Sequence, residues 1–155
     1  MTHISNILIF LADDDSDDRE LFELALRETA NAASLKTFED GVSLMTALTT
    51  VDRHPDMIFL DLNMPRKSGF DCLAEIKHDK KLKNIPVIVL STSTNPQNID
   101  YCFKCGASFY AVKPTDFRAL GKLIQKTLNN DWKAEPSKAD FLLDLSGLYF
   151  RKADW

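Results

Sequence analysis

The sequence predicts a three-layer α/β domain built on a doubly wound, five-stranded parallel sheet. Five short apolar runs alternate with stretches whose apolar residues have helical spacing. The clearest run, residues 57–60 (MIFL), is continuous, which is typical of a strand covered on both faces. Strands that alternate with helices form parallel sheets with right-handed crossovers.

Length and composition fit one globular domain. The chain has 155 residues, of which 45% are hydrophobic and 27% charged. A net charge of -4 and the lack of a basic run argue against DNA binding. The first residues have no signal-peptide pattern, and no apolar run approaches the roughly 18 residues of a membrane helix. We therefore expect a cytoplasmic protein that binds neither DNA nor membrane.

The three cysteines, Cys72, Cys102 and Cys105, favour free thiols. Their odd number and the lack of an export signal argue against a disulfide framework. Cys102 and Cys105 have C-x-x-C spacing, but they lie near the C-terminal end of a predicted helix. Because a helix stabilises thiolates at its N-terminus, this placement argues against a redox role.

The first half of the chain supplies three of the strands. Residues 6–12 form an apolar run, and Asp15 or Ser16 can cap the helix that follows it. Residues 35–39 predict a short second strand, followed by a helix, and residues 57–60 form the central third strand.

The second half supplies two strands and three helices. A helix opens after Ser68, and the strand at 87–90 follows the next proline. A second helix runs from Pro96 to a glycine at 106, where Pro suits the first turn. The strand at 108–112 and an amphipathic helix at about 116–128 complete the pattern.

Polar side chains follow four of these strands where each strand ends. They are Asp13 and Asp14 after the first strand, Asp61 after the third, Ser91 after the fourth and Lys113 after the fifth. Because parallel strands bring their carboxyl ends to one edge of the sheet, these side chains are predicted to converge.

Such a cluster predicts a cation site that receives a phosphoryl group. Three carboxylates in one crevice repel one another by about 4 kcal/mol per close pair at an effective dielectric near 20. Oxygen ligands completed by water and phosphate suit Mg²⁺. Lys113 and Ser91 add a positive charge and a hydroxyl group that can bind a phosphoryl anion. With no cysteine or histidine at a strand end, Asp61 is the best candidate nucleophile.

Over about residues 6–130 the sequence resembles the receiver domains of two-component response regulators. The resemblance implies the flavodoxin-like strand order 2-1-3-4-5. It also gives each residue a role. Asp61 would be the phosphoacceptor; Asp13, Asp14, Asp61 and the backbone carbonyl of Asn63 would bind Mg²⁺; Ser91 and Lys113 would contact the phosphoryl group; and Tyr110 would be the switch aromatic.

The resemblance implies a signalling protein and not an enzyme. It would be a single-domain response regulator that takes a phosphoryl group from a histidine kinase or phosphotransfer protein. Ser91 would then move towards the phosphoryl group and Tyr110 would turn inward, changing the affinity for a downstream protein partner.

Two other classes share parts of this pattern. A flavodoxin-like cofactor binder would have the same topology, but it needs a Ser-, Thr- and Gly-rich loop where this chain has acids after the first strand. A haloacid-dehalogenase-like phosphatase also uses an aspartate nucleophile, but its second aspartate is replaced here by Asn63.

The chain divides into a receiver domain at 1–130 and a C-terminal extension at 131–155. The extension is too short and too acidic for a DNA-binding output domain. Helical spacing fits Phe141, Leu142, Leu145, Leu148 and Tyr149, whereas strand spacing fits Phe141, Leu143 and Leu145. Either the extension packs on its own domain or it builds a homodimer, and similar extensions occur on receivers paired with phytochrome-type kinases.

Overall fold

A computed structural model describes residues 7–30, 32–130 and 137–144 of the chain. Strands and helices alternate along the described chain. In chain order the elements are β1 (Leu8–Ala12), α1 (Ser16–Thr29), β2 (Ser34–Phe38), α2 (Gly41–Thr50), β3 (Met57–Asp61), α3 (Gly69–His78), β4 (Val87–Ser91), α4 (Pro96–Cys105), β5 (Phe109–Val112), α5 (Phe117–Leu128), α6 (Lys138–Phe141) and β6 (Leu142–Leu143).

The strands form one parallel sheet in the order β2-β1-β3-β4-β5-β6. The predicted order 2-1-3-4-5 is therefore confirmed. The register pairs Asp61 with Leu90 and Ser91 with Val112, so neighbouring strands end at nearly the same level. This common level brings the polar residues that follow them to one edge.

Helices cover both faces of the sheet. Phe10 and Ile58 belong to an apolar cluster that includes buried side chains of α2, α3 and α4. Ile9 and Phe59 point to the other face, where they join buried side chains of α1 and α5. Because both faces are covered, β1, β3 and β4 are buried along their whole length, as their continuous apolar runs predicted.

Side-chain caps fix the helix boundaries close to the predicted positions. Asp15, and not Ser16, is the N-cap of α1, because its carboxylate accepts hydrogen bonds from the N–H groups of residues 17 and 18. β2 begins and ends one residue earlier than predicted. The Asp13 N–H donates to the Phe38 carbonyl at 2.9 Å and closes that ladder, and Asp40 then caps α2.

The described part of the C-terminal extension packs against its own domain. Phe141 is wholly buried and Leu143 is 3% exposed. Leu142 and Leu143 pair with Tyr110 and Ala111 and add a sixth strand to the five predicted. A two-residue strand is too short to give a periodic pattern, so the sequence left the choice between helix and strand open. Leu145, Leu148 and Tyr149 lie outside the described residues.

Among the residues described, every helix is too short or too polar to cross a membrane.

Candidate functional site

Three carboxylates meet at the carboxyl ends of β1 and β3. Oxygen atoms of Asp13, Asp14 and Asp61 all lie within 4.8 Å of one another. Asp13 and Asp61 are buried, whereas Asp14 is exposed. This arrangement of hard oxygen donors with one open side fits a divalent cation that keeps part of its water shell.

Lys113 lies against this group from the end of β5. Its Nζ is 3.0 Å from Asp13 Oδ2 and 3.3 Å from Asp61 Oδ2. The Lys113 N–H donates to the Ser91 carbonyl at 2.9 Å, so the backbone of the lysine is fixed by the β4–β5 ladder. The Lys113 side chain therefore extends from a fixed backbone position across the edge of the sheet to Asp13 and Asp61.

A fourth carboxylate, which the sequence analysis did not assign to the site, also binds the lysine. Asp18 Oδ2 lies 3.0 Å from Lys113 Nζ. Asp18 sits in the first turn of α1, where the carboxylate of the N-cap Asp15 accepts its N–H at 3.3 Å. The acidic run after β1 was visible in the sequence, but the choice of this acid depends on the rotation of α1 about its axis.

The charges at the site shift the protonation of Asp61 and Lys113 in a consistent way. Burial raises the pKa of Asp61 from 3.8 to about 6, and the Asp13 charge adds to the rise, although Lys113 opposes it. Burial also disfavours the Lys113 ammonium, but its hydrogen bond to Asp13 and the charges of Asp61 and Asp13 raise the lysine pKa overall. Burial therefore outweighs the Lys113 charge at Asp61, whose pKa stays above its ordinary value.

The backbone around Asp61 depends on a glycine. A Cβ on Gly69 would clash with the Asp61 carbonyl oxygen, so no larger residue fits there. The Gly69 N–H donates to the Leu62 carbonyl at 2.9 Å and holds the loop over the end of β3. The Asn63 N–H donates to Asp61 Oδ1 at 3.3 Å, which places Asn63 beside the carboxylate.

Ser91 and Tyr110 lie on the β4 side of the site. Ser91 is wholly buried, and its Oγ accepts the Ser93 N–H at 3.1 Å. Tyr110 is also wholly buried, and its hydroxyl donates to the Ser93 carbonyl at 2.7 Å. Tyr110 therefore points inward in this structure, and Ser93 links it to Ser91 through these two hydrogen bonds.

The cysteines do not form a reactive pair. Burial raises the pKa of Cys102 to about 12 and that of Cys72 to about 11, and it raises the pKa of Cys105 as well. All three are free thiols, as the sequence predicted. A thiol with a raised pKa is a poor nucleophile, which argues against redox chemistry here.

Known proteins share both the sequence pattern and the fold. The profile of the response regulator receiver domain family matches residues 9–125. Response regulator Rcp1 of Synechocystis sp. is 32% identical over 123 residues, covering 76% of this chain and 84% of that protein. The Mn²⁺-bound form of Rcp1 has a TM-score of 0.73 at 30% identity, covering 84% of this chain and 99% of Rcp1.

A second solved structure has the same fold and a similar identity. The phosphorylated cyanobacterial phytochrome response regulator RcpA has a TM-score of 0.74 at 33% identity, covering 85% of this chain and 97% of RcpA. Sequence profile, curated relative and solved structures agree on one family. The chain belongs to the response regulator receiver domain family and is a response regulator of two-component or phosphorelay signalling.

Proposed function

We propose that Asp61 is the phosphoacceptor and that it takes its phosphoryl group from a phosphohistidine of a histidine kinase or phosphotransfer protein. One observation carries the proposal. Asp61 is a buried strand-end carboxylate that lies close to two further carboxylates and 3.3 Å from the Lys113 ammonium. A carboxylate in that setting can attack phosphorus if its negative neighbours are neutralised.

The transfer needs little covalent chemistry from the protein. An Asp61 oxygen forms a bond to phosphorus while the phosphorus–nitrogen bond of the donor breaks, and the imidazole nitrogen leaves with the electron pair. Lys113 supplies a fixed positive charge beside the accepting oxygen. Positioning and charge stabilisation account for most of the catalysis in reactions of this type.

Mg²⁺ is the cation we propose for the site. Asp13, Asp14 and Asp61 would hold it with the backbone carbonyl of Asn63. The existence of a Mn²⁺-bound form of the similar protein Rcp1 supports a divalent cation. When bound, the cation would offset the carboxylate charges and those of the phosphoryl oxygens.

The proposed output is a change in protein–protein contacts and not catalysis on a small substrate. Ser91 would bind the phosphoryl group, and Tyr110 would stabilise the phosphorylated arrangement from its inward position. A shift from 1:99 to 99:1 between two states requires about 5.5 kcal/mol of differential stabilisation. A downstream protein partner that prefers the inward state would read that shift.

The remaining proposals concern organisation and location. We place the receiver domain at 1–130 and a C-terminal extension at 131–155, and we expect the protein in the cytoplasm. The pairing of β6 with β5 supports an extension that packs on its own receiver domain, while a homodimer remains the alternative.

Labelling with acetyl phosphate tests the central proposal. We expect the full-length protein to gain one phosphoryl group, detected by intact mass, only when Mg²⁺ is present. Asp61→Asn should abolish the gain, whereas Asp71→Asn, which removes an exposed acid from the start of α3, should not. Labelling that persists in Asp61→Asn or in excess chelator would contradict the proposal, and rapid multiple turnover would indicate a phosphatase.

A further inference from the structure

We propose that Asp18 is a positioning residue for phosphoryl transfer, because it holds the Lys113 ammonium group in place through the reaction. This inference rests on the proposed role of Asp61. Asp18 lies in a helix, outside the group of strand-end residues that the sequence assigned to the site.

The number of donors on the ammonium group makes Asp18 important. A lysine ammonium has three N–H donors, and Lys113 Nζ has three carboxylate partners within 3.3 Å: Asp13, Asp18 and Asp61. Each donor therefore has a partner. A phosphoryl oxygen can bind Lys113 only if one of these carboxylates loses its contact with the ammonium group.

Two of the three partners change during the reaction. Asp61 forms the new bond to phosphorus, so the Lys113 N–H group that donates to Asp61 becomes free to donate to a phosphoryl oxygen. Asp13 belongs to the group of carboxylates that fits a cation. Asp18 lies outside that group, and it is the partner whose bond to Lys113 stays the same before and after transfer.

The local structure suits Asp18 to this task. The lysine has a flexible stem of four carbons, and fixing such a side chain costs conformational entropy. Its backbone is tied to β4 at Ser91 and its head group is tied to the first turn of α1 by Asp18. Asp18 and Lys113 also line a cavity of about 280 Å³ together with side chains of α1 and α5, so the pair borders open space on the α1 side of the lysine.

A purely electrostatic effect of the Asp18 charge would change the labelling rate in the opposite direction to a positioning effect. Asp18 is 43% exposed in its side chain and adds a negative charge near the phosphoryl group. If that charge were its main effect, removing it would speed labelling by an anionic donor. If Asp18 positions Lys113, removing it slows labelling.

The test compares Asp18→Asn with Asp17→Asn in the full-length chain. The second variant removes the same charge from the same exposed turn of α1 and leaves the Lys113 contacts intact. We expect Asp18→Asn to lower the maximal rate of labelling by acetyl phosphate about three- to tenfold relative to Asp17→Asn, which is modest because the pair is partly exposed. Asp18→Glu should restore most of the rate.

Two further measurements separate positioning from a structural effect. Mg²⁺ affinity, measured by calorimetry, should change less than about threefold in Asp18→Asn, since Asp18 lies outside the carboxylate group that fits the cation. In a Lys113→Ala background, Asp18→Asn should have no additional effect on the rate. Asp18→Ala provides a second variant for the same comparison, should the amide disturb the first turn of α1.

The outcomes are distinct from those of the Asp61 test. Equal or faster labelling of Asp18→Asn relative to Asp17→Asn overturns the role of Asp18 while leaving Asp61 as phosphoacceptor. A full Asp18→Asn effect without Lys113 also overturns it. Labelling at a residue other than Asp61 overturns the proposed function itself.

Discussion

Asp61 is held in a setting that disfavours its own charge. Its raised pKa means that the folded chain binds a proton at this position more tightly than the unfolded chain does. The stability gained from this protonation is present below about pH 4 and is lost as the pH rises through about 6.

Replacing Asp61 by asparagine should therefore stabilise the protein at neutral pH. In chelator at pH 7 we expect Asp61→Asn to raise the free energy of unfolding by about 1–2 kcal/mol, discounted for partial screening, and we expect the gain to vanish below about pH 4. Urea unfolding across this pH range measures it, with the exposed-loop variant Asp52→Asn as control. A gain that does not depend on pH would contradict this account.

Sequence reasoning succeeded for residues that stand at strand ends and failed for Asp18. The position of Asp61 follows from one buried apolar run, because a parallel strand has one carboxyl end and the residue after it lies at the edge. The contact between Asp18 and Lys113 joins residues 95 positions apart, and it depends on where the N-cap starts α1. The sequence did not decide whether Asp15 or Ser16 is the N-cap of α1.

At the scale of elements, two glycines show how position decides the effect of one added methyl group. Gly106 ends α4 with φ of 103°, a left-handed conformation that disfavours other residues. Gly121 lies inside α5, and an added Cβ would make only an ordinary 3.6 Å contact with Thr29 Oγ1.

We expect opposite signs from the two alanine substitutions. Gly106→Ala should cost about 1–2 kcal/mol through backbone strain, since the nearest side-chain atoms leave enough space for the methyl group. Gly121→Ala should stabilise the protein by about 0.5–1 kcal/mol through helix propensity. Chemical denaturation of both variants against the parent chain gives the comparison. Two shifts of the same sign would show that space, and not backbone conformation, controls these sites.

At the scale of the whole molecule, the layers and the strand order could be predicted, whereas the docking of the extension could not. Continuous apolar runs identify buried strands wherever helices cover both faces. The sixth strand has two residues in the described chain, and Phe141 just before it fits both a helical and a strand spacing. Its position depends on contacts with Tyr110 and Phe103, which are distant in the sequence and therefore leave no local pattern in it.

Phe141 should anchor the extension. Its ring is wholly buried and lies 5.1 Å from the ring of Phe103. Phe141→Ala should remove on the order of 3 kcal/mol of docking energy and speed amide exchange at residues 142–143 and at β5. Phe117→Ala, at a ring that is 38% exposed, is the control. Packing within one chain also predicts an unchanged sedimenting mass in Phe141→Ala, whereas a dimer built by this segment would dissociate.

Neither edge strand of the sheet, β2 or β6, is suited to pairing with a strand of another chain. β2 has two half-buried residues among three exposed ones, which include a lysine at 36. In the described part of the chain, β6 has two residues. Long, flat and uncharged edge strands are the ones that pair with further chains and lead to aggregation. By pairing with β5, the short strand β6 leaves less unpaired backbone at this edge of the sheet for another chain to join.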